Sequence, residues 1–168
     1  EEDDEEEKNE IPFKIVADFF KEFEILLNLQ HPNIIKTYGF YQGDQKNPPS
    51  ILLEYCKYNL QSAIDKLNNI ELIKIVHEIC SAMEYLHKNN VIHRDLKITN
   101  ILVNTQKEAK ICDFGISKIV DDTMTSMTHE IGTLIYMAPE LFDKNSQYNN
   151  KVDVYSFGVV LYFIMTKG

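Results

Sequence analysis

Glycine and proline are scarce in this sequence, with six glycines and five prolines among 168 residues. So few residues of these types cannot make a low-complexity linker, and no internal repeat divides the chain. The remaining composition, with 44% apolar and 26% charged residues, is typical of one globular domain with its own core. A fibrous or wholly disordered protein is therefore excluded.

Cysteine is also rare. Cys56, Cys80 and Cys112 are odd in number, lie far apart, and form neither a CxxC pair nor a zinc-ligand pattern. We expect reduced, partly buried thiols and a cytoplasmic localisation. The chain has no signal peptide and does not begin with methionine. We therefore interpret this chain as a processed protein or as a piece of a longer one.

Long apolar runs are missing. The longest, Val154 to Met165, has twelve residues and is interrupted by Ser156 and Gly158. A helix that crosses a bilayer needs about 20 apolar residues. We therefore expect no membrane span, and we interpret this run as a helix buried on all sides.

No basic stripe is present. The net charge is −9, and residues 1–10 hold eight acids and one lysine, so the rest of the chain is nearly neutral. We expect residues 1–10 to form an acidic disordered tail. Nucleic acid is not an expected partner, because its binding needs clustered positive charge.

Apolar spacing predicts a small helix-plus-sheet layer first. Apolar residues between positions 19 and 29 recur at helical spacing, and they predict a helix that ends before His31 and Pro32. Two extended runs, 33–41 and 50–55, flank the turn-rich GDQKNPP and predict an antiparallel hairpin.

From Leu60 onward the pattern becomes mainly helical. Apolar residues between Leu72 and Leu86 mark one face of a long helix. Short strands are predicted at 101–103 and 110–112, on either side of a turn.

Residues 91–115, VIHRDLKITNILVNTQKEAKICDFG, hold polar groups in the pattern that phosphoryl transfer requires. Asp95 would orient a hydroxyl and accept its proton, and Lys97 would lie against the transferring phosphate. Asn100 and Asp113 offer oxygens that suit magnesium. Each residue alone is more often a turn or capping residue. Their combined spacing indicates a catalytic site.

This chain resembles a eukaryotic-type protein kinase. The likeness rests on four segments: HRDLKITN (His93 to Asn100), DFG (Asp113 to Gly115), GTLIYMAPE (Gly132 to Glu140) and DVYSFG (Asp153 to Gly158). The resemblance implies an α+β, two-lobe kinase-like fold that is partial, with its last helices missing. Residues 11–55 would be the remnant of the small lobe, and 56–168 the large lobe up to the buried helix.

The resemblance also implies the chemistry. It implies ATP and Mg²⁺ (or Mn²⁺) as cofactors and a protein as the substrate. Asp95, Lys97, Asn100 and Asp113 match the catalytic residues, and Asn100 and Asp113 match the metal ligands. Thr133 resembles the residue that bonds to the catalytic Asp and Lys in serine/threonine kinases. MAPE with DVYSFGVVLY is similar to the tyrosine-kinase-like branch, whose members mostly phosphorylate Ser or Thr.

The nucleotide base has an implied site as well. ILLEYC, residues 51–56, resembles the hinge between the lobes. Backbone groups of Glu54 and Cys56 would bond the adenine edge, with Leu53 behind the base and Leu102 on its lower face. An apolar slot with few polar anchors is typical of small-ligand sites.

The sequence departs from the kinase pattern at three places. No GxGxxG segment occurs, so the loop that would cover the phosphates is missing. Glu22 aligns with the helix glutamate that pairs with a strand lysine, and Lys14 is the one plausible partner. Lys14 lies only eight residues upstream, so a surface lysine is an equally open interpretation. Thr37 falls where relatives carry an apolar residue in the stack that joins the lobes.

Two family residues are expected to be structural. His93 is expected to be a packed core histidine, and Phe114 is expected to pack against Leu26.

A loop rich in hydroxyls follows DFG. It contains Thr123, Thr125, Ser126 and Thr128, and Arg94 would supply the cation for a phosphorylated loop. We expect one of these hydroxyls, Thr128 foremost, to be a regulatory phosphorylation site.

Two functions remain open at this point. The first is a serine/threonine protein kinase, favoured by the four catalytic residues. The second is a pseudokinase-like scaffold or binding module, favoured by the missing glycine-rich loop.

Overall fold

The computed structural model describes residues 13–44, 47–114, 118–119, 131–142 and 147–167, with the side chains of 13–19, 21, 118–119 and 131–133 left out. The predicted acidic tail and the four loop hydroxyls lie outside the described residues. In chain order the helices and strands are α1 Phe13–Asn28, β1 Thr37–Tyr41, β2 Ser50–Leu53, β3 Tyr58–Asn59, α2 Leu60–Ala63, α3 Asn69–Lys88, β4 Val91–Ile92, β5 Ile101–Val103, β6 Ala109–Ile111, β7 Lys118–Ile119 and α4 Lys151–Thr166.

Helix α3 begins with a capping box. The Asn68 side chain accepts a hydrogen bond from the Glu71 N–H at 3.0 Å, and the Glu71 carboxylate accepts one from the Asn68 N–H at 2.9 Å. This pair satisfies two backbone donors that a helix start leaves open. The buried face of the helix carries Leu72, Ile75, Ile79, Ala82, Met83 and Leu86. The predicted long helix is confirmed.

The strands form three small sheets. β1 and β2 pair antiparallel, which confirms the predicted hairpin, and the register shifts between Thr37 and Gly39. β5 lies between β3 and β6, and β4 pairs with β7. The strand predicted at 110–112 is observed one residue earlier, at Ala109–Ile111.

The segment after α1 is hydrogen-bonded to β6. The N–H of Ile35 donates to the Ile111 carbonyl, and the N–H of Ile111 donates to the Asn33 carbonyl, both at 2.9 Å. The Asn33 side chain adds a bond to the Ala109 carbonyl at 3.0 Å. These bonds connect the first helix region to the strand that leads into Asp113.

One hydrophobic core joins most of these elements. It includes residues of α1, α3, β5, β6 and α4. Phe114 and Leu26 are both buried in this core, at 1% and 3% exposure. The expected inward packing of Phe114 is confirmed, as is the buried position of His93.

Helix α4 differs from its prediction. Val152, Val160 and Ile164 are buried, but Tyr162 is 66% exposed and Met165 is 83% exposed. The expectation of a helix buried on all sides is wrong for the described residues. The apolar run predicts burial, but neighbouring elements cover only one face. Among the described helices, none has the length and apolar character that a membrane span needs.

Candidate active site

Asp95, Lys97 and Asn100 meet in one polar network. The Lys97 ammonium lies 2.7 Å from Asp95 Oδ2. The Asn100 side-chain amide donates to the same Oδ2 and to the Asp95 backbone carbonyl, both at 2.9 Å. Asp95 Oδ1 is buried and has no hydrogen-bond partner among the described residues. One carboxylate oxygen is held by two donors, and the other keeps its capacity to accept a proton.

The His93 ring is hydrogen-bonded to this loop and to the strand end before Asp113. The N–H of Asp95 donates to His93 Nδ1 at 3.2 Å, so Nδ1 carries no proton. Nε2 lies 3.1 Å from the Cys112 carbonyl oxygen and therefore acts as the donor. The ring also packs against Phe114, with centroids 5.0 Å apart. His93 is a buried residue that joins the loop to the strand end before Asp113.

Asp153 anchors the same loop from α4. Its Oδ2 accepts from the His93 N–H at 2.9 Å, and its Oδ1 accepts from the Arg94 N–H at 2.8 Å. His87 Nε2 also lies 2.8 Å from Oδ2. The DVYSFG motif is visible in the sequence, but this role of its aspartate was not predicted from it. The signal available in the sequence was an aspartate in an otherwise apolar helix, since a buried acid needs hydrogen-bond partners.

Arg94 is buried within the loop that carries Asp95. Its backbone has φ +68°, in the left-handed region. Its Nη1 donates to the Tyr148 hydroxyl at 3.0 Å. The guanidinium predicted to meet a phosphorylated loop is thus fixed at one end by a residue that sequence analysis did not identify.

Asp113 lies at the end of the strand pair, exposed, with φ +67°. Glu22 of α1 approaches this turn, and the Phe114 N–H donates to Glu22 Oε1 at 3.4 Å. Burial raises the pKa of Glu22, the Asp113 charge raises it further, and the bond from Phe114 lowers it. Glu22 therefore faces the DFG segment.

Lys14 lies in the first turn of α1, so it is not on a strand. It shares the helix with Glu22, eight positions away, which is about 12 Å along the axis. Its side chain lies outside the described residues. Lys14 is therefore a helix residue, and its pairing with Glu22 stays a prediction.

The residues expected at the hinge lie at the end of β2 and between β2 and β3. Leu53 ends β2, and the Glu54 N–H donates to the Lys36 carbonyl at 2.8 Å. Cys56 and Leu102 are half-buried at the edge of the core. β3, which follows the hinge directly, pairs with the strand that carries Leu102. Leu102 thus lies beside the hinge connection.

Cys112 precedes Asp113 and is bonded to the loop of Asp95 and Asn100. Its N–H donates to the Asn100 carbonyl at 3.0 Å. Burial, followed by the nearby Asp113 charge, raises the pKa of its thiol to about 12. The residue is structural, and it fixes the distance between the loop of Asn100 and the turn of Asp113.

The oxygens of Asn100 and Asp113 suit a hard divalent cation. Because Asn100 Nδ2 is fixed on Asp95, its Oδ1 remains for a ligand. The Asp113 carboxylate is exposed. No group of three or more His, Cys, Asp or Glu side chains converges within the described chain. One amide and one carboxylate fit magnesium, which keeps several waters and takes phosphate oxygens as further ligands.

Thr133 belongs to a 3₁₀ segment, Ile131–Tyr136, and its side chain is outside the described part. Thr123, Thr125, Ser126 and Thr128 are also outside it. Their predicted roles stay predictions.

The protein kinase domain family matches residues 1–168, and this chain belongs to that family. Mitogen-activated protein kinase kinase kinase dlk-1 of Caenorhabditis elegans is 46% identical, over 88% of this chain and 16% of that protein. Serine/threonine-protein kinase CTR1 of Arabidopsis thaliana is 36% identical, over 90% of this chain and 19% of that protein. Serine/threonine-protein kinase pakG of Dictyostelium discoideum is 35% identical, over 89% of this chain and 13% of that protein. The chain thus spans less than a fifth of each relative's length. The predicted kinase resemblance and fold class are confirmed.

Proposed function

We propose that this chain carries the catalytic core of a serine/threonine protein kinase of the tyrosine-kinase-like branch, dependent on ATP and Mg²⁺ or Mn²⁺. The observation that carries the proposal is the Asp95 network. Oδ2 is held by Lys97 and Asn100, while Oδ1 is unpartnered in the described chain. A carboxylate held in this way can orient a substrate hydroxyl and take its proton.

Besides holding Asp95 Oδ2, Lys97 would stabilise the charge that develops on the transferring phosphoryl group. Its ammonium is fixed beside Asp95, where negative charge develops as the phosphoryl group transfers. Thr133 would bond to the same pair, as in serine/threonine kinases. A lysine two positions after the base favours Ser and Thr as acceptors, and the relatives named as serine/threonine kinases support this choice.

Asn100 Oδ1 and Asp113 would hold the divalent ion, which when bound spreads the charge of the nucleotide phosphates. Leu53, Glu54, Cys56 and Leu102 would form the adenine slot. The substrate would be a protein, and the cytoplasm the place of action. We propose no nucleic-acid partner, since the charge outside residues 1–10 is nearly neutral.

Regulation would come from the loop after DFG. Phosphorylation at one of Thr123, Thr125, Ser126 or Thr128, with Thr128 foremost, would pair with Arg94 and order the loop. Mass spectrometry of protein from cells tests this. A segment that is never modified, or full activity with alanine at all four sites, would contradict it.

A scaffold function is the second candidate, because Glu22 faces the Phe114 N–H and Asp113 instead of a described lysine. In a pseudokinase-like binding module, the fold would be kept while ATP is not held productively.

Thermal unfolding with MgATP separates the two candidates. A ligand that binds the native state must stabilise it, by about 2.7 kcal/mol at 100 times its dissociation constant. For the kinase we expect magnesium-dependent stabilisation that Asp113→Asn abolishes. Asp65→Asn, an exposed control, should keep it. No stabilisation at millimolar nucleotide would favour the scaffold.

Phosphate transfer to a peptide completes the test. Asp95→Asn should lower kcat by about 10² to 10⁴ while leaving the MgATP stabilisation intact. Equal transfer by wild type and Asp95→Asn would contradict the assigned base.

A further inference from the structure

We propose that Tyr148 is a positioning residue for phosphoryl transfer. Its hydroxyl holds the Arg94 guanidinium and so keeps the catalytic loop ordered while the loop after DFG carries no phosphate. This inference rests on the proposed kinase function and extends it to a residue outside the motifs.

The contact is direct and partly buried. Arg94 is 4% exposed, and its Nη1 donates to the Tyr148 hydroxyl oxygen at 3.0 Å. Tyr148 is half-buried in the short segment before α4. A hydrogen bond to a charged donor in a region with little water is worth more than one at the surface.

Arg94 needs such an acceptor because its charge is poorly compensated. Among the described residues, no carboxylate lies within ion-pair distance of its guanidinium, and its Nε is buried without a partner. A buried, unpaired cation is costly, so any fixed oxygen that reaches it stabilises this arrangement. Tyr148 supplies a neutral oxygen and leaves Nε available for an anion.

Both ends of Arg94 are attached to the α4 region. Its backbone N–H donates to Asp153 in the first turn of α4, and its side chain reaches Tyr148 a few residues earlier. Asp95 follows Arg94 directly, so fixing both ends of Arg94 limits the orientations that the Asp95 carboxylate can take. A mispositioned catalytic group loses rate steeply.

This arrangement predicts that the Tyr148 hydroxyl is required when the loop after DFG is unphosphorylated and is not required when the loop is phosphorylated. Without loop phosphate, Tyr148 is the described side chain that holds the Arg94 guanidinium. With loop phosphate, a doubly charged acceptor binds the same guanidinium far more strongly, and the Tyr148 hydroxyl becomes dispensable.

Tyr148→Phe removes the hydroxyl and keeps the ring. Tyr162→Phe is the matched control, because it deletes the hydroxyl of an exposed tyrosine on α4. The kcat and KM for one peptide are measured on phosphatase-treated protein and on loop-phosphorylated protein. We expect kcat of Tyr148→Phe to fall about tenfold in the first form with an unchanged KM, and to match wild type in the second. Tyr162→Phe should match wild type in both forms.

A second measurement does not depend on activity. The Nε–Hε NMR signal of Arg94, assigned by its loss in Arg94→Lys, should shift and exchange faster with water in Tyr148→Phe but not in Tyr162→Phe. An unchanged signal, or an unchanged kcat in the phosphatase-treated form, overturns the inference. If wild type transfers no phosphate to any peptide, the proposed function fails, while the NMR signal still decides whether Tyr148 holds Arg94.

Discussion

His87 Nε2 and Asp153 Oδ2 lie 2.8 Å apart, in a pair whose aspartate is 1% exposed. The same carboxylate accepts the backbone N–H groups of His93 and Arg94. The pair thus connects α3, the loop of Asp95 and α4 through the Asp153 side chain.

Asp153→Ala should lower the free energy of unfolding by about 3 kcal/mol or more, because it leaves two buried N–H donors and His87 without their acceptor. His87→Ala should cost less, about 1 to 2 kcal/mol, since the two backbone bonds remain. Urea unfolding measures both. Glu84→Ala, at an exposed position of α3, should change the value by less than about 0.5 kcal/mol. A cost for Asp153→Ala no larger than the control's would refute the anchor.

Thr37→Val should stabilise the protein. The Thr37 hydroxyl is buried and has no hydrogen-bond partner in the described chain. Valine keeps the shape and removes the desolvated hydroxyl, so we expect a gain of about 1 kcal/mol. The urea midpoint should rise without a change in slope. A lower midpoint would mean that the hydroxyl is satisfied by water. Thr105→Val, at an exposed turn, serves as the control.

Glu22→Gln should change how stability depends on pH. Burial and the Asp113 charge raise the pKa of Glu22 above its ordinary 4.5. The folded protein therefore holds the Glu22 proton more tightly than the unfolded chain does. The stabilisation of the fold that comes from protonated Glu22 is complete below pH 4.5, and it is lost as the pH rises through the pKa of Glu22 in the folded protein. The stability of Glu22→Gln relative to wild type should increase from about pH 4 to about pH 8. Glu24→Gln, exposed on the same helix, should show no such trend.

Cys80 and Cys112 should react with iodoacetamide in a fixed order. Burial and Asp113 raise the pKa of Cys112 to about 12, so almost no thiolate exists at neutral pH. Cys80 is exposed and should be alkylated first, and Cys112 should react only after unfolding. Peptide mass spectrometry over time follows each site. Labelling of Cys112 in the native protein at the rate of Cys80 would contradict this order.

Local spacing explains which parts of the site were predictable. Asp95, Lys97 and Asn100 lie within one tight loop, so their order in the chain nearly determines their geometry. Asp153 and Tyr148 reach that loop from about 60 and 55 residues away, and no periodicity predicts such contacts. The exposed face of α4 was missed for a related reason, because an apolar run does not show which neighbours will cover it.

Fold class, the hairpin and the long helix α3 were predictable because apolar periodicity and turn residues agree along the chain. The start of α1 at Phe13, and the short strands β3, β4 and β7, were not predicted. The direction of Glu22 was not predicted either. Its approach to Phe114 depends on how α1 packs against the DFG turn, which is a tertiary property.

Strand β6 has a neighbour on each side: β5 on one, and the residues just after α1 on the other. Two residues beyond its end stands Asp113. A tilt or slide of the first helix would therefore be transmitted through a short, stiff ribbon to the expected cation ligand. The place of the expected cation ligand is thus tied to the packing of the first helix as well as to the strand pair that carries it.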